Sequence, residues 1–277
     1  MDKFLYGCIY LSAAIAVSVL LKIICYVTVR GIGSVSLEFL TTVTSARKGT
    51  VGIAGNIVNT LYIIVITLVI ATPIGVGSAI YLNEYAKPGK IVRIIEFTTE
   101  TLSGIPSIIF GLFGSVFFGT TLKLGYSLLT GALTLSLMIL PLITRNTQEA
   151  LRTVPNSYRS GALGMGATKW HMIRTILLPS AMPGIITGVI LAIGRIVGES
   201  AALLFTAGSG YLLPKAGGWL SKILQPGGTL TIQLYLSSSK AEYNVAFGIA
   251  FVLLVIVLCI NFLTKYLAKR FDVTRMK

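Results

Sequence analysis

Apolar residues in this chain gather into six long runs separated by shorter polar stretches. The runs cover roughly 4–29, 56–82, 94–119, 124–144, 180–207 and 243–266. A segment that crosses a bilayer is helical because its backbone polar groups must be satisfied internally, and at about 1.5 Å per residue it needs about 20 apolar residues to span the core. Each run is long enough. The pattern predicts an all-α integral membrane protein, a single domain over 1–277 with six transmembrane helices. The first run is too long for the apolar part of a secretory leader and lacks a small-x-small cleavage site, so it is expected to be a retained helix. No run repeats another at a fixed period.

Charge changes the picture from "six helices" to an oriented set. Loop 84–93 carries Lys87, Lys90 and Arg93. Loop 145–179 carries Arg145, Arg152, Arg159, Lys169 and Arg174, and the tail carries Lys265, Lys269, Arg270, Arg275 and Lys277. With six spans these three regions share a side, and the positive-inside rule makes it cytoplasmic, with both termini there. The stretches near 30–55, 120–123 and 208–242 fall outside. Loop 208–242 holds Pro214, Gly217, Gly218, Trp219, Pro226, Gly227 and Gly228, which exclude one long helix. It reads equally as short surface pieces that touch a partner or as a solvated linker.

The polar island SGALGMGATKWHMIRTILLP at 160–179 interrupts the apolar pattern most sharply. Residues 147–179 are too polar to span a membrane, yet rich in helix formers. NSYRSGALGM predicts a short helix and Gly166 a turn with an unusual backbone angle. ATKWHMIRTILL predicts a second helix with Ala167, Trp170, Ile173, Ile176 and Leu177 on one face. Pro179 suits entry to the next span. Such a lever could project into a groove on an ATPase, or it could be an amphipathic pair lying at the membrane surface.

Two charges fall inside the fifth run. Arg195 and Glu199 are four residues apart, which on a continuous helix places them on one face. Each costs roughly 2.5–3.5 kcal/mol at a helix centre on insertion scales, so such residues usually face a bundle interior or an aqueous path. One reading is an anion passage, in which Arg195 supplies planar donors, Glu199 holds it in place and Ser200 adds polarity. The other is an ion pair that locks the span to its neighbours. In the third run, Pro106 interrupts the backbone ladder with Ser103 and Ser107 beside it. Glu96 and Glu100 either line a path there or sit solvated at the boundary. The glycine pairs Gly184/Gly188 and Gly194/Gly198 permit close helix approach.

Composition narrows the function classes. Of 277 residues, 54% are hydrophobic and 12% charged, about half the charge of a soluble domain. The formal charge of +14 lies in short loops, where it contacts lipid and sets topology, and no continuous basic face remains for nucleic acid. Cys8, Cys25 and Cys259 are far apart in apolar runs and lack metal-ligand spacing. His171 is the only histidine and is expected at the surface, so neither a metal set nor a Ser/His/Asp set is available. No G-x-x-x-x-G-K-[ST] is present, so no nucleotide cofactor is expected on this chain.

The spacing from Gly166 through nine residues to Ile176, then Leu178-Pro179, resembles the EAA loop of ABC importer permeases (E-A-A-x-x-x-G-x9-I-x-L-P). Ser160, Gly161 and Ala162 occupy the first three positions. The departures at Ser160 and Gly161 remove a glutamate that could pair with an ATPase arginine. Three further stretches resemble the A-type permease of the phosphate ABC importer, the Pst system: IGVGSAIYLNEYA at 74–86, LSGIPSIIFGLFG at 102–114 and GRIVGESAALLFTAG at 194–208. The resemblance implies a type I importer permease in the bacterial cytoplasmic membrane. It implies phosphate passage at Arg195 and Glu199, and ATPase coupling through Ser160, Gly161, Ala162, Gly166, Trp170, Ile176, Leu178 and Pro179. It also implies four kinds of partner: a homologous C-type permease, two ATPase subunits that bind ATP and Mg, an external phosphate-binding protein, and lipid. Sulfate or molybdate import is the nearest rival. A membrane enzyme lacks a nucleophile or metal cluster, and a passive channel leaves the loop without a purpose.

Overall fold

The computed structural model describes residues 2–45, 50–214 and 218–270. Arg275 and Lys277 of the basic tail, and Gly217 of the loop 208–242, lie outside the described residues. The chain opens with α1 (Asp2–Ile32), then α2 (Leu37–Thr41), whose first turn is capped by Ser36 accepting from the Phe39 amide at 3.1 Å. A small antiparallel hairpin follows, β1 (Val43–Ser45) with β2 (Thr50–Ile53), which pairs Val43 with Ile53. This hairpin departs from the all-helical expectation but is confined to a connection.

The helical body comes next. α3 (Ala54–Ile80) continues through a π-helical turn at Tyr81–Tyr85. α4 (Lys90–Gly104) and α5 (Ser107–Gly114) follow, and α5 runs into a second π-helical turn at Ser115–Thr121. α6 spans Leu128–Arg152, and α7 spans Asn156–Gly164. α8 (Lys169–Met172) passes through a π-helical turn at Ile173–Leu177 into α9 (Leu178–Gly198). α10 (Ala201–Thr206), α11 (Leu230–Ser239) and α12 (Tyr243–Arg270) complete it. Among the described residues, five helices are long and apolar enough to cross a membrane, and a sixth span exists if α4 and α5 count as one.

α3, α6 and α9 form the centre. Ile63, Leu135, Ile139, Ile143, Ala192 and Ile196 pack there almost without exposure. Gly184 and Gly188 bring α9 against α6: a Cβ on Gly188 would sit 2.7 Å from the Asn146 Cβ, and one on Gly184 would sit 2.5 Å from Ala150. The second glycine pair behaves differently, since Gly194 and Gly198 face open space. α1 packs on α12, where the Tyr26 and Phe247 rings meet edge to face at 5.6 Å.

Four expectations require correction. The third run is not one helix, because α4 and α5 bend by 102° across Ile105 and Pro106. Proline supplies no amide to the ladder and pushes Ile105 to extended backbone (φ −72°, ψ 130°). The fifth run is not continuous to 207 either. α9 stops at Gly198, and Glu199 is extended (φ −83°, ψ 122°). Its carboxylate accepts from the Ala202 amide at 3.1 Å and its carbonyl accepts from the Thr231 hydroxyl at 3.1 Å. It therefore starts α10 rather than extending α9.

The stretch 208–242 is more than a set of surface pieces. Leu230, Thr231 and Ile232 of α11 are buried, and the Asn56 and Asn59 side-chain amides donate to the Gly228 carbonyl at 2.9 and 3.2 Å. Finally, α6 extends to Arg152, so residues 147–152 belong to the helix wall and not to a loop.

Candidate functional site

The bends at Pro106 and Gly198 leave a cleft of about 490 Å³ walled by α4, α6 and the end of α9. Its polar lining comes from Glu96, Glu100 and Ser103 on α4, Arg145, Asn146, Gln148, Glu149 and Arg152 on α6, and Arg195 on α9. α4 has a polar face at four- and three-residue spacing (Glu96, Glu100, Ser103) that meets the cleft, while Ile91, Ile94 and Phe97 are exposed on its other side. Glu96 and Glu100 thus line the cavity.

The charges pair across this space. Arg145 Nη1 lies 3.9 Å from Glu100 Oε1, and Arg145 Nε lies 3.7 Å from Glu149 Oε1. Arg152 Nη2 lies 3.8 Å from Glu96 Oε1. All are exposed, so each pair contributes little and exchanges readily with water or solute. Arg195 differs. No carboxylate among the described residues lies within 4.0 Å of it, and its side chain is exposed on the cleft wall. An unpaired guanidinium of this kind presents a planar fork to an oxyanion.

Arg195 and Ser103 both line this cleft. The proposed Arg195–Glu199 pair does not form. Helical spacing assumed that the helix continued, and the chain turns one residue before Glu199. Glu199, Ser200 and Ser107 are not part of the cleft lining. Glu199 is committed to the first turn of α10, and Ser200 and Ser107 flank the two helix breaks.

The polar loop takes the predicted helix–turn–helix form. Gly166 has φ +82°, with its amide donating to Leu163 at 3.0 Å and the Ala167 amide donating to Ala162 at 3.1 Å. This pair of bonds is a Schellman ending for α7, and the left-handed residue in it favours glycine. Thr168 caps α8 by accepting from the His171 amide at 3.3 Å. His171 is exposed.

Ala162, Met172, Ile173 and Leu177 are buried together with Leu151 and Val154, and Ile176, Leu178 and Ala167 pack at the margin of this cluster. Pro179 is half-buried beside them. Trp170 does not join that face. It is 59% exposed at the tip of the loop, and Tyr158, Leu163 and Met165 of the same loop are exposed as well. The inner face belongs to Met172, which the helical wheel did not single out. Ser160 is exposed, its hydroxyl bonded to the Asn156 carbonyl at 3.2 Å, and a Cβ on exposed Gly161 would meet nothing within 4 Å.

Two groups went unnoticed in the sequence. Glu84 and Arg159 form a largely shielded pair at 2.9 Å, with side chains 5% and 17% exposed. They are 75 residues apart, so no local spacing signals them. Lys222 is 1% exposed in the stretch 208–242, and its ammonium donates to the Pro226 carbonyl at 3.3 Å. Burial pushes its pKa below the usual lysine range.

Residues 71–273 match the family of binding-protein-dependent transport system inner membrane components. The chain is 42% identical to a probable ABC transporter permease protein, YqgI, of Bacillus subtilis, over 75% of this chain and 70% of that protein. It is 32% identical to the phosphate transport system permease protein PstA of Haemophilus influenzae, over 95% of this chain and 92% of that one. With PstA of Xylella fastidiosa (strain Temecula1) the identity is 34%, over 84% and 80%. Among solved structures, a chain of a bacterial alginate ABC transporter aligns with TM-score 0.71 and 15% identity, covering 98% of this chain and 96% of that chain. A chain of the inward-facing MetNI methionine ABC transporter aligns with TM-score 0.60 and 22% identity, over 79% and 94%. At such identities the structures speak for the fold alone.

Proposed function

Because the chain belongs to the binding-protein-dependent transport system inner membrane component family, we propose that its cleft is the path by which an ATP-driven importer passes inorganic phosphate. As a member of that family it is a multi-pass membrane permease and not an enzyme. The observation that carries the substrate is the unpaired Arg195 on the cleft wall. Relatives named as phosphate permeases align over nearly the whole chain and support the same reading.

The cleft chemistry favours phosphate over sulfate or molybdate. Monohydrogen phosphate carries a proton that a carboxylate can accept, and Glu96, Glu100 and Glu149 line the same space as Arg195. Sulfate has no such proton and meets those carboxylates only as repulsion. The exposed pairs on Arg145 and Arg152 keep the lining from holding an anion too tightly.

In this reading the loop end is cytoplasmic, by the positive-inside rule, and both termini share that side. The apolar tip around Trp170 seats in an ATPase subunit, which binds ATP and Mg. Two such subunits, a homologous C-type permease and an external phosphate-binding protein complete the machine. The test is stimulation of ATP hydrolysis by the assembled complex. Phosphate presented on its binding protein should raise the rate, and sulfate and molybdate on theirs should not. Equal stimulation by sulfate would leave an anion importer without selectivity for phosphate, and stimulation by sulfate alone would remove phosphate as its cargo.

A further inference from the structure

The polar loop is held to α3 by contacts that its covalent connections do not explain: Val76 and Ile80 pack against its apolar cluster, and polar groups meet it just beyond. Its first helix continues from α6 and its second continues into α9, so two cleft walls follow the loop by chain continuity. α3 has no such continuity, yet its π-helical end touches both arms of the loop.

Arg159, on α7, donates from Nε and Nη2 to Glu84 Oε1 at 3.2 and 2.9 Å. The same guanidinium donates to the Leu151 and Val154 carbonyls at 2.9 Å each, where α6 ends. It also donates to Asn156 Oδ1 at 3.2 Å, and Asn83 Nδ2 donates to Glu84 Oε1 at 2.7 Å. From the other arm, Lys169 Nζ lies 4.9 Å from the centre of the Tyr85 ring. Adjacent residues of one turn thus receive a cation from each arm. The turn is wound π-helically, with the Ala86 amide reaching Tyr81 at 2.8 Å, a geometry common at functional sites. Leu82, in that same turn, lines the cleft.

We propose that Glu84 and Tyr85 are positioning residues that receive the motion of the loop. Arg159 and Lys169 drive the π-helical end of α3 as the loop moves, and Leu82 moves with it at the cleft wall. The proposal rests on the importer reading, in which an ATPase moves the loop. A planar guanidinium suits this role because it fixes three elements at once: α3, the end of α6 and α7. Removing one partner of a buried charge pair leaves the other uncompensated, so the contact persists through motion rather than breaking in it.

The experiment uses the whole complex in liposomes and reads phosphate imported per ATP hydrolysed. Wild-type complex that imports nothing would sink the importer reading itself, before the clamp is at issue. With wild type active, Glu84→Gln should leave the complex assembled and hydrolysing ATP while the ratio falls, roughly two- to tenfold, as for residues that modulate coupling between sites. Arg159→Lys should retain part of the ratio. Tyr85→Leu, an exposed position that folding should tolerate, should lower it less.

A covalent substitute isolates position from chemistry. In a background without Cys8, Cys25 and Cys259, cysteines at 84 and 159 joined by a short thiol cross-linker should restore the ratio lost in the uncrosslinked pair. An unchanged ratio in Glu84→Gln and Tyr85→Leu overturns the proposal. So does a complex that fails to assemble with Glu84→Gln, since the pair then serves stability alone.

Discussion

Arg195→Gln should all but abolish phosphate uptake while the complex still assembles and sits in the membrane. Arg195 packs against no carboxylate among the described residues, so its removal leaves no buried partner stranded. A hydrogen bond to a charged group contributes about 1.5–3 kcal/mol, so loss of the fork should cost roughly 10- to 100-fold in uptake at limiting phosphate. Arg145 and Arg152 should compensate only in part, because an anion reaching either must first displace a glutamate across the cleft. Arg195→Lys keeps the charge without the planar donors and should retain a small fraction.

Glu199 provides the contrast. If it held Arg195, Glu199→Gln would approach Arg195→Gln in severity. It instead accepts from the Ala202 amide, which a glutamine oxygen also does, so Glu199→Gln should stay near wild type. Exchanging the two residues should fail completely, since each side chain has a separate task. Labelled-phosphate uptake in cells, with membrane content measured alongside, checks all four variants. Normal uptake by Arg195→Gln at normal content would remove this residue from the path.

The second large effect lies in the turn between α7 and α8. Gly166→Val should separate ATP hydrolysis from transport. The residue holds φ +82°, where a β-branched side chain is strained by about 1–2 kcal/mol or more. A Cβ there would meet no neighbour within 4 Å, so the penalty falls on the turn and not on packing. α7 and α8 then lose their fixed angle, and the tip that carries Trp170 no longer presents one shape. ATPase bound per permease should fall, and uptake should fall further. Gly166→Asn should be milder, because asparagine tolerates the left-handed region. Trp170→Ala gives the matched comparison: it removes contact area at the tip, about 1–3 kcal/mol of binding if it is an anchor, and leaves the turn intact. Pull-down of the ATPase with uptake in the same membranes reads both. If both variants bind and transport like wild type, the loop is no lever.

How much of this was legible in the sequence depends on the range of the interaction. Gly166, the two short helices around it and the apolar spans are local features. Periodicity and a single glycine were enough to place them. The breaks at Pro106 and after Gly198 were harder, because apolar composition continues across them and hydropathy responds to composition rather than backbone direction. Pro106 at least signals a lost amide. Nothing in GRIVGES marks Glu199 as the residue where the helix ends, since the reason lies in Thr231 and the start of α10.

The same limit explains the misplacement of Trp170. The wheel assumed uniform winding, whereas the π-helical turn at Ile173–Leu177 changes the register by which the helix meets the body. Glu84–Arg159 was beyond reach for a simpler reason. Both residues look like ordinary loop charges, and only the fold brings them to 2.9 Å. Arg145 and Arg152 were read as topology signals, but the extension of α6 to Arg152 turns them toward the cleft.

Phosphate should cross through this permease at the expense of ATP hydrolysed on the loop side. Reconstitution of the complex in liposomes decides it. Labelled phosphate and its binding protein are placed on the face opposite the loop, and ATP on the loop face. Phosphate should accumulate only with ATP, be unaffected by excess sulfate and fail to accumulate with Arg195→Gln. Phosphate crossing equally well without ATP, or accumulation displaced by sulfate, would contradict it.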